Sequence, residues 1–315
     1  METDLAIHNL HHACFHGLLD KVKELHAQGV GLNARCAAGH SPLCSATMRG
    51  KVKIIKYLIQ NGADVNERDQ KGHCAIYFAV HREKPRAASI LIQSRADVDA
   101  HLADGMSLLM TAASRTSGEM AQLLIDAGAN VNQRDHKGNS ALRYAIKQKN
   151  LTVVDMLLRA GASSLCFNAD ESHQMTAVVD AIENGAYDVL RYLMKHETTN
   201  INEHFHLENE RNALTWVATY TKDHLPLEVA KMILQAPDLQ VDDAVVACGI
   251  SNVTALTVAV DLSHEPMVKL LLARGADPSW HYDHSSIPLV ICASGRGNPP
   301  IRFRILDDPI EDRET

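Results

Sequence analysis

His8, His12 and His16 stand four residues apart near the start of the 315-residue chain. Two imidazoles at i and i+4 share one helix face and can hold a zinc ion, although a solvated end helix accounts for the same spacing. His204 with His206 in "EHFHLE" and His281 with His284 in "HYDH" also have ligand-like spacing, each pair without a third and fourth ligand nearby in sequence. They carry one alternative reading, an enzymatic or metal site in the C-terminal third. Other catalytic signatures are missing. "GHSPL" at 39–43 lacks the second glycine of a nucleophile elbow, and "GRGNPP" lacks the last glycine of a dinucleotide loop. Neither GxxxxGK[ST] nor HExxH occurs. Asp69 and Asp135 lie in turn sequences and fit turn formation better than acid–base work. No catalytic residue is assigned, no cofactor or small-molecule substrate is expected, and the chain reads as a non-enzyme.

A second chemistry is anion binding. Stepping by 33 residues from His16 gives Arg49, Arg82, Arg115 and Gln148, with His81 and Lys147 one residue earlier in their own segments. Turn-rich sequences nearby contribute Arg68, Lys71, His73, His101, Arg134, His136 and Lys137. A planar guanidinium meets carboxylate or phosphate with two parallel hydrogen bonds. Such a row predicts an acidic or phosphorylated peptide partner, and less readily a nucleic-acid backbone. The net charge of −7 also argues against a polyanionic partner. The same arginines equally suit helix C-termini, where the dipole favours a cation, or ion pairs with loop aspartates. Both readings stay open on sequence.

The elements that must position these residues are set by a period. "NGADVNERDQKG" at 61–72 returns as "AGANVNQRDHKG" at 127–138, with eight of twelve positions identical. A step of 33 links Gly29, Gly62, Arg95, Gly128 and Gly161, and it also links Ala13, Ala46, Ala79, Ala112 and Ala145. Each segment has the same grammar. Ser41 is an N-cap followed by Pro42 at the first helical position, and Ser107, Ser140, Thr176, Asn212 and Thr254 occupy the corresponding cap. A short helix follows, then a second helix with Ile54, Ile55, Leu58 and Ile59 at helical spacing. Gly62 ends it, where a left-handed residue needs no Cβ. Asn, Asp and Gly then form a hairpin-like loop.

On "DQKGHCAIYFAV", "DHKGNSALRYAI", "SPLCSATMRG" and "LLARGADP" the chain resembles the ankyrin-repeat family. The resemblance implies an all-α repeat solenoid of helix–turn–helix units joined by β-hairpin-like loops. Units fall near 5–35, 38–68, 71–101, 104–134, 137–166, 173–203, 209–242 and 251–279, with a partial one at 284–306. Residues 1–306 would form a single domain, followed by an acidic tail at 307–315. The resemblance also implies that the Arg49, Arg82, Arg115 position lies on the concave, ligand-facing side. It implies a non-catalytic interaction module or scaffold, with a regulatory or inhibitory subunit, or the N-terminal head of a larger protein, as a further alternative. Asn66 and Asn132 become candidate sites of asparaginyl hydroxylation. The family's histidine survives only at His11, with Cys44, Tyr77, Met110 and Arg143 in its place elsewhere, and the period breaks after Gly161.

Composition agrees with close packing through small side chains: 46% of residues are hydrophobic and only 4% aromatic. Seven cysteines without a CxxC pair predict free thiols in a reducing compartment, hence the cytoplasm or nucleus. No stretch approaches the length of a membrane span, and no membrane partner is expected.

Overall fold

A computed structural model describes residues 2–115, 118–167, 174–196, 199–206, 210–220, 227–247 and 250–279. The partial unit at 284–306, the tail at 307–315, and His281 and His284 lie outside these. The chain divides into two compact units, Met1–Val189 and Leu190–Thr315.

The first unit begins with α1 (Glu2–His16) and α2 (Leu19–Ala27), followed by α3 (Pro42–Met48) and α4 (Val52–Gln60). Next come α5 (Ala75–His81), α6 (Pro85–Gln93), α7 (Leu108–Ala113), α8 (Gly118–Asp126), α9 (Ala141–Lys147) and α10 (Leu151–Arg159). The antiparallel hairpin β1 (Leu165–Phe167) and β2 (Gln174–Thr176) leads to α11 (Ala177–Glu183). Odd-numbered helices pack on one another from α1 to α11, and even-numbered helices from α2 to α10. The repeat therefore makes two helical layers, as the period predicts. The alanine ladder explains the close approach within the first layer. Ala46, Ala79, Ala112 and Ala145 are fully buried, and Ala13 nearly so.

The six predicted caps all form. Side-chain oxygens of Ser41, Ser107, Ser140, Thr176 and Thr254 accept from the backbone N–H three residues on, as does Asn212 Oδ1 from Thr215. Each satisfies a donor that a helix start leaves without a partner. Cys74 holds the same place before α5 and makes no such bond.

The glycine ladder ends each second helix in the left-handed region: φ is +89° at Gly29 and Gly62, +85° at Gly128 and +86° at Gly161. Arg95 takes the same conformation, at +64°, although its Cβ disfavours it. Backbone geometry at this step is imposed by the stack and not by the residue.

A third ladder welds neighbouring repeats. The side-chain oxygens of Asn33, Asn66, Asp99 and Asn132 accept from the backbone N–H of Asp64, Asp97, Asn130 and Ser163, at 2.9, 2.8, 2.8 and 2.8 Å. The three asparagines also donate to the carbonyls of Gly62, Arg95 and Gly161.

Helix α12 (Tyr187–Leu193) spans the division between the units. The second unit contains β3 (Phe205–His206), β4 (Glu210–Arg211), α13 (Ala213–Tyr220), α14 (Leu227–Leu234), β5 (Val245–Ala247), β6 (Ile250–Val253), α15 (Ala255–Asp261) and α16 (Glu265–Ala273). Helix α13 packs on α15 and α14 on α16, while β3–β4 and β5–β6 are antiparallel hairpins. Here the period stretches, yet the weld persists. Asn202 accepts from Gln240 N–H at 2.9 Å and donates to the Asp238 carbonyl at 2.8 Å.

Candidate functional site

The site is built from the C-terminal ends of first-layer helices. Arg49 follows α3 and Arg82 follows α5, both exposed; Arg115 lies just beyond α7 and is half-buried. The guanidinium of Arg49 stacks 4.7 Å from the centre of the Phe15 ring. Among the described residues neither Arg49 nor Arg82 has a carboxylate partner, so ion pairing with loop aspartates does not account for them. Arg115 is held differently. It donates to His81 Nδ1 at 2.8 Å, and the Tyr77 hydroxyl lies 3.4 Å from the same nitrogen. A guanidinium only donates, so the His81 nitrogen it meets accepts; the same Arg115 nitrogen also lies 3.3 Å from Nε2. Burial lowers the pKa of His81, and the charges of Arg115, Arg82 and His73 lower it further. Lys147, at the end of α9, lies 6.0 Å from the Tyr144 ring centre.

The loop residues divide. Lys71 and His73 line a cleft of about 650 Å³ with His40, Tyr77, His81 and Arg82. His73 is fixed there, with Nδ1 bonded to Asp69 Oδ2 at 2.8 Å and its ring stacked on Tyr77. Asp69 also accepts from the backbone N–H of Lys71 and of His73. Burial pushes the Asp69 pKa up, but these hydrogen bonds outweigh it and hold the carboxyl below its usual range. Asp135 behaves alike, accepting from Lys137 N–H, Asn139 N–H and the Tyr144 hydroxyl. Both carboxylates build turns.

Arg68 is drawn out of the row. It pairs with Asp97 Oδ2 at 2.7 Å and donates to the His101 carbonyl at 3.4 Å. The His101 side chain is exposed, and its backbone bridges to Ser107. Arg134, His136 and Lys137 are exposed around the turn that Asp135 organises. The structure thus gathers Lys71, His73, Arg82, His81 and Arg115, sets Arg49 beside Arg82, and commits Arg68 to Asp97.

Two residues not anticipated from sequence, Lys51 and Lys84, join this row. They stand two positions after Arg49 and Arg82 and line one cleft with them. The signal was available, since "RGK" and "REK" recur at the same step of 33.

The remaining candidates have local surroundings of their own. Asn66 and Asn132 are exposed residues whose amides are engaged in the inter-repeat weld. His204 bridges Glu210 Oε1 at 2.9 Å and Asp243 Oδ2 at 2.8 Å. Burial would lower its pKa, but the two carboxylates outweigh burial and raise it, favouring an imidazolium. The side chain of His206 lies outside those described. Among the described residues no three His, Cys, Asp or Glu side chains gather as a metal-holding group. The rings of His12 and His16 sit 4.3 Å apart. His11 is buried, with Nδ1 2.7 Å from Ser45 Oγ and Nε2 2.8 Å from the Ala34 carbonyl. Where Arg143 replaces the family histidine, it pairs with the buried Asp180 at 3.1 Å. No described helix is long and apolar enough to cross a membrane.

No curated protein matches the chain. Residues 10–101, 83–168, 109–204 and 181–281 match the family "Ankyrin repeats (3 copies)", whose stacks serve as protein–protein interaction modules. With helix pairs, caps, alanine layer and inter-repeat weld in place over that span, the chain belongs to the ankyrin-repeat family.

Proposed function

We propose that the first unit binds an acidic or phosphorylated segment of a protein partner along Arg49, Arg82 and Arg115, as a non-catalytic adaptor or scaffold in the cytoplasm or nucleus. The observation that carries this reading is the exposure of Arg49 and Arg82, one repeat apart, with no carboxylate partner among the described residues. Loop carboxylates are already engaged, Asp69 by His73 and Asp97 by Arg68. Arginine is also the cation most enriched at binding hot spots.

The test is triple charge reversal, R49E/R82E/R115E, in the full chain. Partner recovery is expected to fall at least about tenfold, since each lost charge-assisted bond is worth about 1.5–3 kcal/mol. Helicity and melting should hold, because two of the three side chains are exposed. Unchanged recovery by a folded variant would reject the reading.

A further inference from the structure

Arg49, Lys51, Arg82 and Lys84 bound a cleft of about 460 Å³, with Phe15 and Met48 as its apolar walls. Among the described residues no acidic side chain lines it. The cations form a two-by-two array, because each arginine–lysine bracket recurs one repeat later. Neighbouring rungs are then about 8–10 Å apart, the usual spacing of packed helices, which long side chains span easily.

The array is held in place by its surroundings. The Arg49 guanidinium lies on the Phe15 ring. The two lysine stems lie along the preceding repeat's turn. A Cβ on Gly17 would sit 3.0 Å from Lys51 Cδ, and one on Gly50 would sit 3.1 Å from Lys84 Cδ. Both glycines have positive φ, +90° and +62°, so the absence of a Cβ serves both the turn and the lysine that crosses it. Glu83, between Arg82 and Lys84 in sequence, is exposed and does not line the cleft. None of these cations makes an ion pair among the described residues.

Four cations lining one cleft carry more positive charge than a single carboxylate can offset. A phosphomonoester carries roughly −1.5 to −2 charges and three acceptor oxygens. Its dense charge matches the array, and Phe15 with Met48 would take the hydrocarbon beside it. An extended nucleic-acid backbone fits less well: the array covers two rungs only, and the chain is net −7.

We infer that the cleft formed by Arg49, Lys51, Arg82 and Lys84 binds a phosphorylated serine or threonine side chain of a partner peptide. This rests on the acidic-partner reading above and narrows it to a phosphate at a defined place.

The probe is a short peptide library, degenerate around a fixed central phosphothreonine, with its unphosphorylated copy, applied to the full chain. The phosphorylated library should be retained at least about tenfold more strongly, as expected for new charge-assisted bonds. The K51M/K84M variant keeps both stems packed and should lose that preference, with its melting temperature unchanged. Free phosphothreonine should compete. Equal retention of the two libraries, a preference that survives K51M/K84M, or equally strong competition by a single-stranded oligonucleotide would each overturn the inference. A glutamate-rich peptide run alongside separates the two levels. If it binds and R82E/R115E abolishes that binding while no phosphate preference appears, the acidic-partner reading stands and the phosphate cleft falls. If it does not bind either, the broader reading falls as well.

Discussion

The Arg115 guanidinium lies 2.8 Å from His81 Nδ1 and 3.3 Å from its Nε2, an arrangement that favours the neutral imidazole. The lowered pKa of His81 follows first from burial and then from the adjoining cations Arg115 and Arg82. A histidine with a lowered folded pKa binds fewer protons than it does in the unfolded chain. Its contribution to stability is complete above the ordinary histidine pKa and is lost as pH falls through the lowered value. The His81 imidazole signals should therefore titrate below the ordinary histidine value in an NMR pH series. In R115A the His81 midpoint should rise. A His81 midpoint at or above the ordinary value would contradict the assignment.

Arg95 occupies a left-handed position that four glycines hold at the same step. Relief of about 1–2 kcal/mol of strain in Arg95→Gly is partly offset by about 0.4–1 kcal/mol of unfolded-chain entropy. The variant should gain up to about 1.6 kcal/mol in urea unfolding. A loss of stability would show that the Arg95 side chain contributes contacts of its own.

Asp99 is the one rung of the first unit's weld without an amide donor. It accepts from Asn130 N–H at 2.8 Å but has no counterpart to the Asn66 bond to Arg95 or the Asn132 bond to Gly161. Asp99→Asn should supply that bond to the Gly128 carbonyl and stabilise the first unit by about 0.5–1 kcal/mol. Asn66→Ala removes two such bonds and should cost about 1–2 kcal/mol, with faster amide exchange at Asp97. Both are read by denaturant midpoint. Hydroxylation of Asn66 or Asn132 would be read as the gain of one oxygen per site in the intact mass of protein from its native cell.

His204 gives the opposite pH sign. Glu210 and Asp243 hold it above its ordinary pKa despite burial. Its contribution is fully present below the ordinary histidine pKa and is lost as pH rises through the raised value. The wild-type chain should lose stability in the second unit over that rise, and H204Q should flatten the dependence. An unchanged slope in H204Q would place the effect elsewhere.

Much of this was legible in the sequence because it is local or periodic. The caps at Ser41 through Thr254 need only a residue type three positions from a backbone donor. The glycine and alanine ladders need only the step of 33. The fates of individual cations were not legible. Arg68 stands in a turn-rich stretch and Arg82 in the helix-end row, but their partners cannot be read from either: Arg68 meets Asp97, 29 residues later, and Arg82 meets no carboxylate among the described residues. Arg143 occupies a histidine position and finds Asp180 one repeat on. Such pairings depend on which side chains the stack brings together across repeats. Lys51 and Lys84 show the reverse case: they carry the period plainly, but their convergence on a cleft emerges only once the turns are stacked.

In the proposed mode the first-layer helix ends receive the acidic partner, with loop residues such as Lys71 and His73 beside them. The most direct measurement titrates isotope-labelled protein with a glutamate-rich peptide at low salt and follows arginine side-chain and backbone signals by NMR. The largest shifts are predicted at Arg49, Arg82 and Arg115, fading as salt screens the charges. Shifts confined to Arg134, His136 and Lys137, or to the second unit, would contradict it.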